Sequence, residues 1–362
     1  MSRLLYFDRK LFTVTLGLLA TGLVMIYSSS AVLALTRKGD PAYFFKHQMV
    51  WAAIGVVALF VTQHIPYAKW GQRKIVLGLM GLEVILLLLA LASPAINGSH
   101  RWIKLGPMTL QPSETAKLVI LILAAYLLNK RAEERREWVH TLVPLGAYAG
   151  FVAVLIVIQP DLGTVVILGA ILCSLLLVAG LPWKWLVSML LIGVVAVGIL
   201  AVSSPYRRQR LMTFMNPDAD PRHEGFQAQQ SLIAVGSGGL AGNWVGGGSQ
   251  KLLFLPEPHT DFIFAMIGEE LGFAGNLVVL GSFLFFGYLG LKAVRSAPDL
   301  FGAYLAMGVV AWVVLQALVH MMVTLTLLPT KGLPLPLLSY GGSNLVVTMA
   351  GVGILLNVSQ HE

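Results

Sequence analysis

Residues 11–35 run without a charged side chain, and that stretch decides what the chain can fold into. A predominantly apolar segment of this length spans a bilayer as a helix, because lipid offers no hydrogen-bond partner to irregular backbone. It is too long for a signal-peptide core and has no small-residue cleavage site, so it is read as a helix that stays in place. The pattern recurs along the chain. About ten spans are expected, at 11–35, 45–64, 75–93, 114–129, 141–159, 162–180, 184–202, 262–291, 301–325 and 340–357. Only 12% of the 362 residues are charged, where a soluble protein carries about a quarter. The fold class is therefore an all-α polytopic membrane protein. No repeat period and no Pro/Ser-rich linker divides it, so 1–362 is read as one integral membrane domain.

Ten spans put both termini on one side. The short basic loops 69–74 and 130–136 mark that side as cytoplasmic by the positive-inside rule, although a raw count of Lys and Arg does not separate the two faces. The loops 94–113, 203–261 and 326–339 and the turn Gln159-Pro-Asp161 then share the outer face, with 203–261 a large extracytoplasmic loop between spans seven and eight. The net charge of +8 fits basic loops beside anionic lipid, and no nucleic-acid partner is expected. The single cysteine, Cys173, excludes an internal disulfide and any multi-cysteine metal site.

Polar chemistry gathers on the outer face. In Phe254-Leu-Pro-Glu-Pro-His-Thr-Asp-Phe262, Glu257, His259, Thr260 and Asp261 crowd a loop stiffened by Pro256 and Pro258, immediately before an apolar run. Glu269 falls eight residues after Asp261, near its helical face. Gln111-Pro-Ser-Glu-Thr-Ala-Lys117 is a helix start with proline in the first turn, and Glu114 and Lys117, three apart, share a face. They read either as an ion pair at the membrane surface or as a cation serving an anionic ligand with Glu114 steering it. Asp161 follows Pro160 and suits an N-cap. Glu83 and His320 lie inside apolar runs and are expected to face other helices. The loop 328–343 mixes prolines and glycines with apolar residues; Lys331, Ser339 and Ser343 could line a wet cavity there, or the loop could be a structural re-entrant hairpin. The glycine-rich 236–250 lacks a preceding strand and a Gly-Lys-Ser/Thr ending, so it is read as a mobile or re-entrant segment and no nucleotide is expected.

Tyr27-Ser-Ser-Ser30, Arg101-Trp102, Gln111-Pro-Ser-Glu-Thr-Ala-Lys117, Gln159-Pro-Asp-Leu-Gly163, His259-Thr-Asp-Phe-Ile-Phe264 with Glu269-Glu-Leu-Gly272, and Pro334-Leu-Pro-Leu-Leu-Ser-Tyr-Gly-Gly-Ser343 together resemble the SEDS family of bacterial cell-wall glycosyltransferases, which includes FtsW and RodA. The region around 328–336 is closer to FtsW; Gln316-Ala-Leu-Val-His-Met-Met322 and Phe226-Gln227 depart from the family's usual Asn and Tyr-Gln. The resemblance implies a peptidoglycan glycosyltransferase in the bacterial cytoplasmic membrane. It would polymerise lipid II, an undecaprenyl-pyrophosphate-linked disaccharide, onto a growing glycan strand outside the membrane. Its implied partners are a class B penicillin-binding transpeptidase and other divisome or elongation proteins. The family's proposed catalytic aspartate falls on Asp261.

The residues suit that reaction. A pyrophosphate-linked donor needs a base for the acceptor hydroxyl and positive charge for the departing pyrophosphate. Asp261 offers the base. Arg101, Lys117, Arg207, Arg210 and Lys331 offer the charge, with Glu114, His259, Ser339 and Ser343 lining the substrate and Asp161, Glu257 and Glu269 behind them. A divalent cation (Mg or Mn) could share the leaving-group role. If Asp261 caps span eight, the helix dipole lowers its pKa; burial and Glu257 push it up. His259 is the other credible base. An elongation-type polymerase, a transporter moving lipid-linked sugars and an idle scaffold for the transpeptidase are the competing readings.

Overall fold

The structure is a computed structural model that describes residues 8–96, 98–106, 108–134, 137–203, 205–215, 224–248, 255, 257–329 and 332–360, without the side chains of 105, 201, 205–207, 211 and 224. The ten expected spans are helices: α1 (Arg9–Lys38), α2 (Tyr43–His64), α3 (Arg73–Ala92), α4 (Pro112–Glu134), α5 (Val139–Ile158), α6 (Leu162–Val178), α7 (Trp183–Val202), α10 (Ile263–Ser296), α11 (Leu300–Thr324) and α12 (Gly342–Ser359). Among the described residues, nine are long and apolar enough to cross a membrane, and α6 is the shorter one.

Local signals set several ends. Asp8 accepts Lys10 N and Leu11 N at the head of α1, and Gly39, left-handed at φ 71°, closes its tail. Asp299 accepts Gly302 N at the head of α11. The centre of the bundle is α11, which packs against α4, α6, α10 and α12, while α12 lies along α2. Trp312, Phe283 and Phe286 are fully buried there. None of the described residues of α7 is buried; it packs on α6 and on α8 (Pro205–Met215) at the rim.

The loop between α7 and α10 holds more order than expected, in α8 and in α9 (Glu224–Ser237). The loop after α3 forms an antiparallel hairpin, β1 (Ile103–Leu105) with β2 (Met108–Leu110), pairing Ile103 with Leu110. The eighth span is not continuous. At Gly272 the backbone turns to φ 70°, ψ −170°, so Phe273 N and Ala274 N lose the carbonyls one turn back. The glycine-rich stretch replaces those bonds. Phe273 N donates to Gly239 O at 2.9 Å, Ala274 N to Leu240 O at 3.2 Å, and the vacated Glu269 O accepts Asn243 N at 3.1 Å. Only glycines permit this approach, since a Cβ on Gly238 would strike the Gly268 carbonyl and one on Gly242 the Glu270 carbonyl. The segment is thus a docked turn that completes a broken helix.

The second irregular stretch, 332–341, is likewise buried. Leu335, Leu337 and Leu338 are sequestered, and Gly22 of α1 makes room for them: a Cβ there would lie 2.7 Å from Leu337 O.

The docked turn predicts an asymmetry between neighbouring glycines. Gly242→Ala, at φ 81° and against backbone, should cost more than the ~1 kcal/mol of an ordinary left-handed strain and lower the unfolding temperature in detergent. Gly236→Ala, with open space around it, should be close to neutral by the same measurement.

Candidate active site

Asp261 ends a short loop whose backbone is fixed from two sides. Thr260 N and Oγ1 both donate to Glu257 O, at 3.2 and 3.0 Å, making a tight turn with Glu257 at φ 53°. Ser339 Oγ donates to Thr260 O at 2.7 Å, and Tyr340 N donates to His259 O at 2.9 Å, so the loop is sewn to 332–341. That loop is held in turn by α11, where Gln316 Nε2 donates to Pro334 O and His320 Nδ1 lies 2.7 Å from Leu333 O.

The capping residue of α10 is Phe262, and no side chain bonds its first N–H groups. Of the two alternatives, Asp261 is therefore not the N-cap, and no hydrogen bond reaches its carboxyl among the described residues. It faces Gly332, where a Cβ would stand 3.5 Å from Oδ2. Burial pushes its pKa up to about 6, Arg210 of α8 and Arg101 pull it down, and Glu257 adds to the rise. Burial thus outweighs the two arginine charges.

His259 is buried, packed against Phe44 with its ring tilted by 39° at 4.4 Å between ring centres, and edge-on to Tyr340 at 5.3 Å. Neither ring nitrogen has a hydrogen-bond partner among the described residues, and Nε2 lies 3.7 Å from Glu257 Oε2. Burial, with the nearby Arg37 charge, holds it down at about 4, so at neutral pH the imidazole is uncharged. Glu257 pairs with Arg37 at 3.2 Å across an exposed gap.

Arg101 anchors the opposite wall. Its Nε donates to Gln159 O at 2.8 Å and Nη2 to Pro160 O at 2.6 Å, locking the hairpin loop onto the α5–α6 turn. Asp161 caps α6 as expected, accepting Thr164 N, and its Oδ2 also takes Thr164 Oγ1, Ser113 Oγ and Gln111 Nε2. Ser343 accepts Gln111 N and donates to Thr109 O, and Ser339 accepts Leu335 N besides its bond to Thr260. Both hydroxyls tie backbone segments together, as the re-entrant-hairpin alternative has it.

Lys117 takes the ion-pair alternative. It is fully buried, with Nζ 2.8 Å from Glu114 Oε2 and 2.8 Å from Gln316 Oε1 and the Trp312 ring 5.0 Å away; Asn344 Nδ2 completes Glu114 at 2.6 Å. Glu269 is buried beneath Gly248, where a Cβ would meet its Oε2 at 2.6 Å. The Arg207 side chain and Lys331 lie outside the described residues. Among the described residues, no group of three or more His, Cys, Asp or Glu side chains is placed to hold a metal ion.

Sequence reasoning missed Gln316 and Asn344 as partners of the pair, Gln48, which bonds Gly341 N and Ser339 O, and Arg37. For the three amides the available signal was an uncharged polar side chain inside an apolar span; Arg37, in the last turn of α1, offered none.

A family model for cell cycle proteins of the FtsW, RodA and SpoVE group matches residues 9–362. The chain is 44% identical to the probable peptidoglycan glycosyltransferase FtsW of Thioalkalivibrio sulfidiphilus, over 96% of this chain and 88% of that one. It is 38% identical to the stage V sporulation protein E of Bacillus subtilis, over 98% and 97%. Among solved structures, a peptidoglycan synthase complex that coordinates polymerisation and crosslinking contains a chain that is 28% identical and superposes with a TM-score of 0.79, covering 98% of each. The rod-shape-determining protein RodA of Thermus thermophilus superposes at 0.72, also with 28% identity, over 98% and 97%.

The buried pair predicts a stability effect. Lys117→Ala leaves Glu114 buried without its cation and should cost about 3–5 kcal/mol, read as a large drop in unfolding temperature. Lys117→Met with Glu114→Gln should recover most of it. A Lys117→Ala protein of native stability that binds donor poorly would assign the lysine to the ligand instead.

Proposed function

The chain belongs to the FtsW, RodA and SpoVE family of cell cycle proteins, and on that premise we propose that it is a peptidoglycan glycosyltransferase whose base is Asp261. It polymerises lipid II into glycan strands, in the division role of its FtsW relatives. The observation that carries the assignment of the base is the environment of Asp261. It is a carboxyl without a hydrogen-bond partner among the described residues, raised to about 6 by burial, within range of two arginine charges.

In the step proposed, Asp261 takes the proton of the acceptor hydroxyl as its oxygen forms a bond to the donor's anomeric carbon. The bond from that carbon to the pyrophosphate breaks, and its electron pair leaves with the lipid pyrophosphate. Arg210 and Arg101, whose charges reach Asp261, are the cations assigned in this proposal to offset the charge that develops there. One base and direct displacement imply inversion at the sugar. His259, uncharged and held between aromatic rings, keeps the loop in place and takes no proton. A divalent cation, bound by the substrate phosphates, would add Lewis-acid stabilisation of the pyrophosphate and leave Asp261 as the base.

The proposal includes a partner of the class B penicillin-binding type, supported by the likeness to a chain of a peptidoglycan synthase complex. It also includes the bacterial cytoplasmic membrane with both termini inside. The buried core and lipid-facing rim fit a multi-pass membrane protein, and the basic loops favour this orientation.

Purified protein in liposomes with labelled lipid II tests the chemistry. Asp261→Asn should lose about 10²–10⁴-fold in polymerisation while remaining folded, and His259→Phe should retain activity. Redistribution of label between leaflets without glycan would establish a transporter in its place.

The pH profile follows from the same group. Polymerisation should rise as pH climbs through about 6 and then level, because only the ionised carboxylate is a base. Stability moves oppositely. The folded value lies above the unfolded 3.8, so this group's contribution is full below that pH and is lost as the pH rises through about 6. Asp261→Asn should abolish both trends.

Orientation has its own test. His100 is exposed on the loop after α3, so His100→Cys with Cys173→Ser should react with a membrane-impermeant thiol reagent in intact cells. Labelling only after lysis would invert the arrangement.

A further inference from the structure

Glu83 stands apart from the site. It lies in the middle of α3, 1% exposed, while its neighbours Leu82 and Ile85 are more than half exposed toward the rim. Its only described contact of hydrogen-bond length is to α4: Thr115 Oγ1 stands 2.7 Å from Glu83 Oε2. The same Oγ1 stands 2.8 Å from Pro112 O. A hydroxyl has one hydrogen, and the Pro112 carbonyl can only accept. Both contacts are full hydrogen bonds only if a second hydrogen is present, and Glu83 is the group able to bring it.

The other carboxyl oxygen agrees. Glu83 Oε1 is buried and has no hydrogen-bond partner among the described residues. On an ionised carboxylate that would be a bare buried charge, whereas on a carboxylic acid it is a carbonyl oxygen and much cheaper to bury. No described cation offsets a charge. Lys117 on α4 is committed to Glu114 and Gln316, Arg101 is bound to the α5–α6 turn, and from α5 the Tyr148 hydroxyl donates to Met80 O.

We propose that Glu83 is a neutral carboxylic acid that donates to Thr115, which in turn donates to Pro112 O, and that this relay is a positioning device for the first turn of α4. That turn carries Ser113, bonded to Asp161, and Glu114, bonded to Lys117 and Asn344. Through Asp161 it sets the α5–α6 turn that holds Arg101. Glu83 thus acts on the arginine wall of the site from a distance, and its neutrality keeps the link intact across the pH range in which Asp261 titrates. The catalytic consequence rests on the function proposed above; the protonation state and the relay do not.

Three variants of the full chain in lipid test this. Glu83→Gln keeps a neutral donor and should polymerise lipid II at close to the native rate, whereas Glu83→Leu and Thr115→Val should each lose about five- to tenfold, the worth of one hydrogen bond. The Glu83→Leu/Thr115→Val double variant should lose no more than either single, as members of one relay are non-additive. Independently of activity, the infrared spectrum at neutral pH should contain a protonated-carboxyl carbonyl band that disappears in Glu83→Gln. A folded but inactive Glu83→Gln, or a wild-type spectrum with no such band, would overturn the neutral acid. Native activity in Glu83→Leu would overturn the positioning role. If wild-type protein makes no glycan, the infrared band and non-additivity in unfolding temperature still decide the relay.

Discussion

Backbone that leaves the helix at membrane depth must find its hydrogen bonds inside the protein, and the arrangement of this chain follows from how two such stretches find them. At the break in α10, the lost helical bonds reappear with the Gly239, Leu240 and Asn243 backbone, one bond exchanged for another. In 332–341, side chains join backbone partners: Gln316 and His320 from α11, Gln48 from α2, and Ser339 folding back on Leu335 N, beside the bond from Tyr340 N to His259 O. Neither stretch could persist beside lipid without these particular donors and acceptors. The glycines at 22, 238 and 242 are the steric counterpart, since each clears backbone that a methyl group would strike.

The candidate base sits on a loop bonded to the second of these stretches. The bonds from Ser339 to Thr260 and from Tyr340 to His259 mean that Asp261 inherits its position from 332–341, and hence from α11 and α2. Its electrostatics come from elsewhere. Arg210 arrives on α8, outside the central bundle, and Arg101 on the hairpin loop pinned to the α5–α6 turn. Geometry is thus set by the rigid centre and charge by the periphery. Movement of α8 or of the hairpin would retune the carboxyl without displacing it.

How much of this was legible follows from the range of each interaction. The ten spans were readable because composition alone drives them, and the concentration of chemistry at 257–261 was readable because polar residues are scarce in such a chain. Asp161 as a cap is a contact three residues long, and it held. The break at Gly272 was not readable, because its stability depends on carbonyls of a separate segment that a local pattern does not contain. Strands of three residues are too short to display a period, so the hairpin was invisible. Lys117 was seen with its local partner Glu114, while Gln316, 199 residues away, decides that the ammonium is fully engaged. Whether Asp261 caps α10 turns on a single residue at a helix start, which a local pattern does not resolve; the cap is Phe262, and the Asp261 carboxyl is raised by burial.

Hydrogen-bond counting then separates the acids of the site by role. Asp161 accepts four bonds, and Glu114 holds an ammonium and an amide; both are so saturated that gaining a proton would break structure. Such groups hold a bundle together because their charge is already answered. Asp261 is the opposite case: buried enough to be destabilised as an anion, near enough to arginines to remain one at neutral pH, and without a bond that protonation would disturb. A general base must accept a proton and return it at each turnover without altering its surroundings, and of these three carboxyls only Asp261 is placed to do so.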